Sequence, residues 1–222
     1  SGIAERLMNS LVRVLGGLRG GYAVTVVIVG VLLAASTGIV GASVVLLGML
    51  SLGPMMRAQY NKSLAVGTAC SVGTLGILVP PSIMLVLMAD RLGTSEASVG
   101  RLFMGAMIPG IMLGVMYIAY IVIAAYIKKD LAPAPENRQP LNARALLEVL
   151  IAVLPPLALI VAVLGSIFTG FATTTEASAV GALGAMLLAL LNRRLNLATL
   201  RHALYQTSRT TAFIFAIFIG AT

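Results

Sequence analysis

Charged side chains are scarce in this sequence, since Asp, Glu, Lys and Arg make up 10% of its 222 residues, against roughly 25% in soluble domains. Tryptophan is absent, and cysteine and histidine occur once each. Apolar residues account for 59% of the chain, and its mean hydropathy is +1.02. Long apolar runs cross a bilayer most readily as helices, because a helix pairs its own backbone groups. The composition therefore predicts an all-α integral membrane protein.

The few polar residues also exclude several classes of function. The sequence contains no His-Glu-x-x-His zinc motif, no Gly-x-Ser-x-Gly nucleophile motif and no Walker A phosphate loop, so we do not expect an enzyme. The lone Cys70 excludes a disulfide framework, and His202 lies in a basic segment typical of a solvated surface. The net charge of +8 comes from short basic clusters between apolar runs. That pattern is typical of cytoplasmic membrane loops and does not indicate nucleic-acid binding.

Apolar runs and basic clusters divide the chain into six segments. They are an amphipathic surface helix (1–19), part of a transport domain (20–89), a transmembrane helix (102–127), a cytoplasmic linker (128–148), two transmembrane helices (149–192) and a cytoplasmic segment that leads into a further apolar helix (193–222). Lys and Arg concentrate in the first, fourth and last of these, which predicts that they face the cytoplasm. The chain opens without an initiator Met and stops within an apolar run, so we expect part of a longer protein.

Two apolar stretches within 20–89 are interrupted by residues that disfavour helix. In the first, 22–56, each arm has about 14 to 15 residues, or roughly 22 Å, against a hydrocarbon core of about 30 Å. A re-entrant helical hairpin with its tip at 38–41 fits better than two full spans. In the second, 63–89, Pro80 and Pro81 break the helix, and each proline costs roughly 3 kcal/mol or more in a helix interior.

Broken helices inside a membrane persist only where the freed backbone is buried in protein or lines a cavity. One interpretation is a plain kink at the prolines with packing glycines in the hairpin. The other is a binding site where both breaks meet near the midplane, with carbonyls holding a cation and helix N-termini facing an anion, as in secondary transporters. Because both breaks could lie near the midplane and contact one another, the binding-site interpretation is favoured.

Glu176 is the one carboxylate between two apolar runs, and an acid inside a membrane is a functional candidate. It also ends the sequence TTTE. In a capping box, Thr173 and Glu176 would satisfy free amides at the start of a helix that we predict from Ala177. The spacing favours this structural cap over a functional acid.

Several blocks of the sequence resemble the large membrane subunit of tripartite ATP-independent periplasmic (TRAP) transporters, over nearly the whole chain. They are GIAERLMNSLVRVLGGLRGGYAV, a Gly-rich hairpin tip, GTLGILVPPSIMLVL, LFMGAMIPGIMLG and FATTTEASAVGALGA, in that order. The resemblance implies a multi-pass elevator-type transporter of the bacterial inner membrane that imports an organic acid anion with sodium. It also implies a small membrane subunit and a periplasmic substrate-binding protein as partners, besides membrane lipid. The family's second hairpin and second broken helix are expected outside this chain.

Carried over by position, the resemblance implies a sodium site between the hairpin tip and the break. Its backbone ligands would be Gly38, Val40, Gly41, Gly76, Val79 and Pro81. No carboxylate falls within these two segments, and carbonyl oxygens suit a hard cation. The Ser82 hydroxyl and the amides of the half-helix after it, alongside Ser36 and Ser43, are predicted to face an anionic group of the substrate.

The sequence departs from the family pattern at Val40 and Ala42, where serines are common, and at Thr174, where the family has proline. The first departure bears on substrate choice more than on sodium, because carbonyls would provide most of the ligation. Two other functions stay open at this point. One is an elevator-type anion symporter without a binding protein, and the other is a channel or structural membrane subunit whose breaks line a pore or serve packing.

Overall fold

The computed structural model describes residues 3–92, 98–128, 130–133 and 143–220, and within them the chain forms α-helices and no strand. The helices are α1 (Ile3–Leu15), α2 (Gly21–Thr37), α3 (Val40–Arg57), α4 (Lys62–Leu78), α5 (Ile83–Leu92), α6 (Val99–Ile127), α7 (Ala143–Phe168), α8 (Thr174–Leu191) and α9 (Leu197–Gly220). The all-α class that the composition predicts is therefore confirmed.

Five stretches in the described part of the chain are long and apolar enough to span a membrane. They are Val40–Arg57, Lys62–Leu92, Val99–Ile127, Leu147–Phe168 and Thr174–Leu191. Two helices begin earlier than predicted, since α7 starts at Ala143 within the expected linker and α8 starts at Thr174 rather than Ala177. The predicted starts were placed where the apolar residues begin, which marks the part of a helix inside the hydrocarbon. A helix can begin before that point where the residues have high helix propensity, as in ARALLEV.

Helix α1 packs against α2 and α7 and is not among the candidate spans. Its apolar stripe faces the protein, with Leu7 and Leu11 buried, whereas Leu18 lies in the turn after the helix and is exposed. The helix ends at Leu15, short of the predicted residue 19, because two glycines follow. Arg13 and Glu148 form an ion pair of 2.9 Å between α1 and α7, which contributes little stability because both side chains are about half exposed.

Helices α2 and α3 form two arms joined at residues 38–39, and α4 packs against both arms. The arms have 17 and 18 residues, or about 26 Å each at 1.5 Å per residue, which is longer than predicted because the helices continue through the small polar residues next to the tip. Glycine allows the close packing. A β-carbon on Gly73 would lie 3.0 Å from both the backbone nitrogen and the Cα of Val44.

The turn after α3 connects three parts of the chain, a role that the sequence did not reveal. The buried Tyr60 hydroxyl accepts a hydrogen bond of 3.2 Å from the backbone N–H of Tyr22 at the start of α2. Asn61 caps α4 by accepting a 2.9 Å bond from the Ser63 N–H, and its own N–H donates to the Leu131 carbonyl. Burial raises the pKa of Tyr60 to about 12, so this phenol stays neutral at physiological pH.

The chain divides into two compact units. Helices α1 to α7 and the start of α8 form the unit Ile3–Gly181, and the rest of α8 with α9 belongs to the other unit. All predicted site residues lie in the first unit. In the second unit, α9 runs without interruption from Leu197 through the basic residues around His202 into the apolar end that the sequence predicted as a separate helix.

Membrane orientation is a prediction that cysteine labelling can check. With the exposed Cys70 replaced by serine, cysteines introduced at Ser95 and Glu136 are expected to react with an impermeant maleimide from the periplasm and from the cytoplasm respectively. Both positions lie outside the described residues. The Cys70→Ser protein without added cysteines serves as the unlabelled control. Reaction from the opposite sides would refute the orientation assigned from the basic loops.

Candidate functional site

The helix break predicted at Pro80-Pro81 lies between α4 and α5. Helix α4 ends at Leu78, residues 79–82 are not helical, and α5 begins at Ile83. Val79 adopts extended backbone, with φ −84° and ψ 117°. The Pro80-Pro81 peptide bond is cis. Together the two helices form one candidate span of 31 residues, Lys62–Leu92, so the break lies within an apolar stretch.

The prolines leave two carbonyls of α4 without their helical donors. In an uninterrupted helix the amides of residues 80 and 81 would bond the carbonyls of Gly76 and Ile77, but proline has no amide hydrogen. Ser82, which follows the prolines, is 1% exposed, and its hydroxyl has no hydrogen-bond partner among the described residues. A buried polar group without a partner costs about 1 to 3 kcal/mol, so the Ser82 hydroxyl is a candidate ligand-binding group.

The tip of the hairpin lies directly against this break. Gly38 is buried and has a φ of +62°, in the left-handed region that favours glycine. A β-carbon on Gly38 would lie 3.0 Å from the Ile83 backbone nitrogen and 3.1 Å from its Cγ1. Any larger residue would therefore separate the tip from the first turn of α5. The fold brings the two breaks together.

Helix α6 covers the break from another side. A β-carbon on the buried Gly110 would lie 3.3 Å from the Leu78 carbonyl oxygen and 3.2 Å from Val79 Cγ2. This contact was not predicted from the sequence. The signal available was the glycine after Pro109 in the middle of a span, since small residues mark close helix approaches in membranes. The helix itself is continuous through Pro109.

The predicted sodium ligands occupy different environments around this junction. Gly38, Gly76 and Val79 are buried, Val40 and Pro81 are half-buried, and Gly41 is exposed in the first turn of α3. The structure therefore places the tip glycine and the break in contact, while Gly41 has open space beside its Cα. No cluster of three His, Cys, Asp or Glu side chains that could bind a metal occurs in the described residues. A cation here would depend on backbone oxygens, and the ligand assignments stay predictions.

The predicted substrate serines differ in how their hydroxyls are used. Ser43 is fully buried, and its hydroxyl donates a 2.9 Å hydrogen bond to the Ile39 carbonyl of its own helix. Ser82 has no such partner among the described residues. Ser36 lies in the last turn of α2, and its side chain is outside the described residues. Between the two described serines, Ser82 is the better candidate for a substrate contact.

Thr173 and Glu176 form reciprocal hydrogen bonds at the start of α8. The Thr173 N–H donates to Glu176 Oε2 at 2.8 Å, and the Glu176 N–H donates to Thr173 Oγ1 at 3.3 Å. This is the geometry of a capping box. Thr174 occupies the first helical position, where proline is also well tolerated, so its difference from the family pattern leaves the cap intact.

Comparison with known proteins identifies the family. The family model described as "Tripartite ATP-independent periplasmic transporter, DctM component" matches residues 1–222. The chain is 35% identical, over 99% of its length and 50% of the relative, to the C4-dicarboxylate TRAP transporter large permease protein DctM of Pseudomonas aeruginosa. It is 37% identical, over 82% of its length and 38% of the relative, to the protein of the same name from Vibrio cholerae.

A relative whose name gives a different substrate matches the chain over a similar length. The sialic acid TRAP transporter large permease protein SiaM of Vibrio cholerae is 29% identical over 100% of the chain and 50% of that protein. The chain thus spans about half the length of the relatives it matches. The family and the apolar spans together make it part of a multi-pass protein of the bacterial inner membrane. It belongs to the family of large permease subunits of tripartite ATP-independent periplasmic transporters.

Proposed function

We propose that this chain supplies about half of the transport core of a sodium-coupled importer of organic acid anions. The partners would be a small TRAP membrane subunit and a periplasmic substrate-binding protein. One observation carries the proposal, namely the contact between the hairpin tip at Gly38 and the start of α5 at Ile83, beside the unpartnered hydroxyl of Ser82. The names of the relatives, which include C4-dicarboxylate and sialic acid transporters, support the organic acid class.

Sodium fits the chemistry of the break. The carbonyls of Gly76 and Ile77 lack helical amide donors because prolines stand four residues on. Backbone carbonyls are neutral oxygen ligands that can replace the hydration shell of a hard cation. A site built from them contains no group that titrates near neutrality, so sodium affinity should change little between about pH 6 and 8.

The substrate anion would bind on the other side of the break. Helix α5 begins at Ile83, so the amides of its first turn have no partners within the helix, and the dipole of a helix favours negative charge at that end. Ser82 Oγ is the adjacent buried hydroxyl donor. Import would then proceed by an elevator motion, in which the re-entrant hairpin and the broken helix carry ion and substrate across the membrane together.

Reconstituted transport tests this proposal. The complete large subunit, with its small subunit and binding protein, would be placed in proteoliposomes and supplied with labelled C4-dicarboxylate or sialic acid. Uptake is expected with an inward sodium gradient and not with an equal potassium gradient. Ser82→Ala should raise the substrate concentration for half-maximal uptake, because a buried hydrogen bond to a charged group is worth about 1.5 to 3 kcal/mol.

The same assay separates the alternatives. Ser178→Ala, on α8, is a suitable control because the Ser178 hydroxyl is exposed and bonds within its own helix. Equal uptake with potassium would contradict sodium coupling. Full uptake without the binding protein would favour a symporter that works alone, and passive flux in both directions would favour a channel.

A further inference from the structure

A cavity lies towards the opposite end of α4 from the break. It has a volume of about 470 Å³ and opens between the start of α4 and the end of α6. Its polar lining consists mainly of Asn61, Ser63, Ser71, Tyr117, Tyr120 and Lys128. Apolar residues, among them Leu64 and Ile121, complete the wall. Neither the transport site nor the hairpin tip uses these side chains.

The polar lining presents donors for an anion. Lys128 is the one charged residue of the lining, and it forms no ion pair with any described residue. Asn61 uses its amide oxygen to cap α4, accepting bonds of 2.9 and 3.4 Å from the first turn, so its NH₂ group remains as a donor. No carboxylate of the described residues lines the cavity, and the exposed Asp130 is not part of the wall.

The remaining polar groups of the lining are mainly hydroxyls. Ser71 lies two turns along α4 from Ser63, and both residues are exposed. Tyr117 and Tyr120 lie on the facing side of α6. Tyrosine is typical of the membrane interface because one end of its ring is apolar and the other is polar. The lining therefore combines one cation at the end of α6 with neutral hydrogen-bonding groups on α4 and α6.

An exposed apolar stripe leads from this cavity along α6. Ile127, Ile123, Tyr120 and Met116 follow one another at helical spacing, and each is more than half exposed. The stripe starts next to Lys128 and runs away from the basic end of the helix. Since α6 is a candidate span, the stripe would face acyl chains in a bilayer, and a lipid whose headgroup binds at Lys128 would lay its own acyl chain along it.

We propose that the cavity between α4 and α6 is a specific phospholipid site. The phosphodiester would bind Lys128 and the Asn61 amide, the ester carbonyls would accept hydrogen bonds from Ser71 and the tyrosine hydroxyls, and an acyl chain would lie along the α6 stripe. The basic loops predict that Lys128 faces the cytoplasm, so the lipid would belong to the cytoplasmic leaflet. Anionic lipids such as phosphatidylglycerol are preferred there by the positive charge.

Native mass spectrometry of the complete large subunit tests the proposal. The purified protein would be titrated with dioleoyl phosphatidylglycerol in detergent micelles, and the bound fraction measured. Lys128→Ala is expected to weaken binding of one lipid about tenfold, because it removes a charge-assisted hydrogen bond. The matched control is Lys62→Ala, since Lys62 is exposed next to the cavity but does not line it, and a change below about twofold is expected there.

A second variant tests the cavity without changing charge. Gly67 lines the cavity, and a β-carbon there would meet nothing within 4 Å, so Gly67→Leu should fill the space and exclude the lipid. Gly105→Leu is the control, at an equally open position on α6 outside the cavity. Equal loss in the Lys62 variant, or unchanged binding in Gly67→Leu, would overturn the proposal. Displacement of the lipid by millimolar inorganic phosphate would also overturn it, in favour of a soluble anion.

Discussion

Replacing Pro80 and Pro81 with alanine is expected to abolish sodium-dependent uptake by the complete transporter while the subunit still inserts and folds. The double variant restores two amide hydrogens, which can bond the carbonyls of Gly76 and Ile77. Two such bonds contribute about 0.5 to 1.5 kcal/mol each, and the helix also loses two prolines that cost roughly 3 kcal/mol apiece. Helices α4 and α5 would then join, and the carbonyls available to an ion would disappear.

The chain contains a matched control for this experiment. Pro155 and Pro156 are also adjacent, but they lie inside the continuous helix α7. Pro155→Ala with Pro156→Ala should therefore leave the sodium dependence of uptake unchanged. Sodium titrations of the initial uptake rate in proteoliposomes would compare the two double variants. Wild-type sodium dependence in the Pro80/Pro81 variant would mean that the break is a plain kink, as the simpler interpretation of the sequence has it.

Replacing Gly73 with alanine should destabilise the subunit by about 1 to 3 kcal/mol, the usual cost of overpacking. The added β-carbon would lie 3.0 Å from the Val44 backbone and would overlap its side chain. A backbone cannot rotate away as a side chain can, so α3 and α4 would have to separate. The temperature at which half of the detergent-purified protein loses its monodisperse elution peak should fall.

Gly53→Ala, on α3, is the control for that measurement. A β-carbon at Gly53 would meet nothing within 4 Å, so the change should be neutral or should stabilise the helix by up to about 1 kcal/mol. An unchanged transition temperature in Gly73→Ala would show that α3 and α4 do not pack as closely as described. A drop in both variants would point to a general sensitivity of the helices to alanine.

Much of the fold could be predicted because its causes are local. Apolar runs predict membrane helices wherever they occur, and the motif TTTE places reciprocal hydrogen bonds at the start of α8. Helix ends were predicted less well. Helix α7 begins at Ala143, before its apolar run, because helix formation depends on backbone bonding and propensity as well as on hydropathy. The contacts of Tyr60 with α2 could not be predicted, since its partner lies 38 residues away.

The sequence by itself determined that the chain is a membrane protein and that the carbonyls of Gly76 and Ile77 lack helical donors, because hydropathy and a missing amide hydrogen are properties of the residues. The break at Pro80-Pro81 was predicted, but the chemistry of proline alone does not explain it, since the equally adjacent Pro155 and Pro156 lie inside a continuous helix. Tertiary structure decided that difference. The Pro80-Pro81 break is packed between the hairpin tip at Gly38 and helix α6 at Gly110. These contacts bury the irregular segment within the protein, and unpaired backbone groups cost most when they face hydrocarbon.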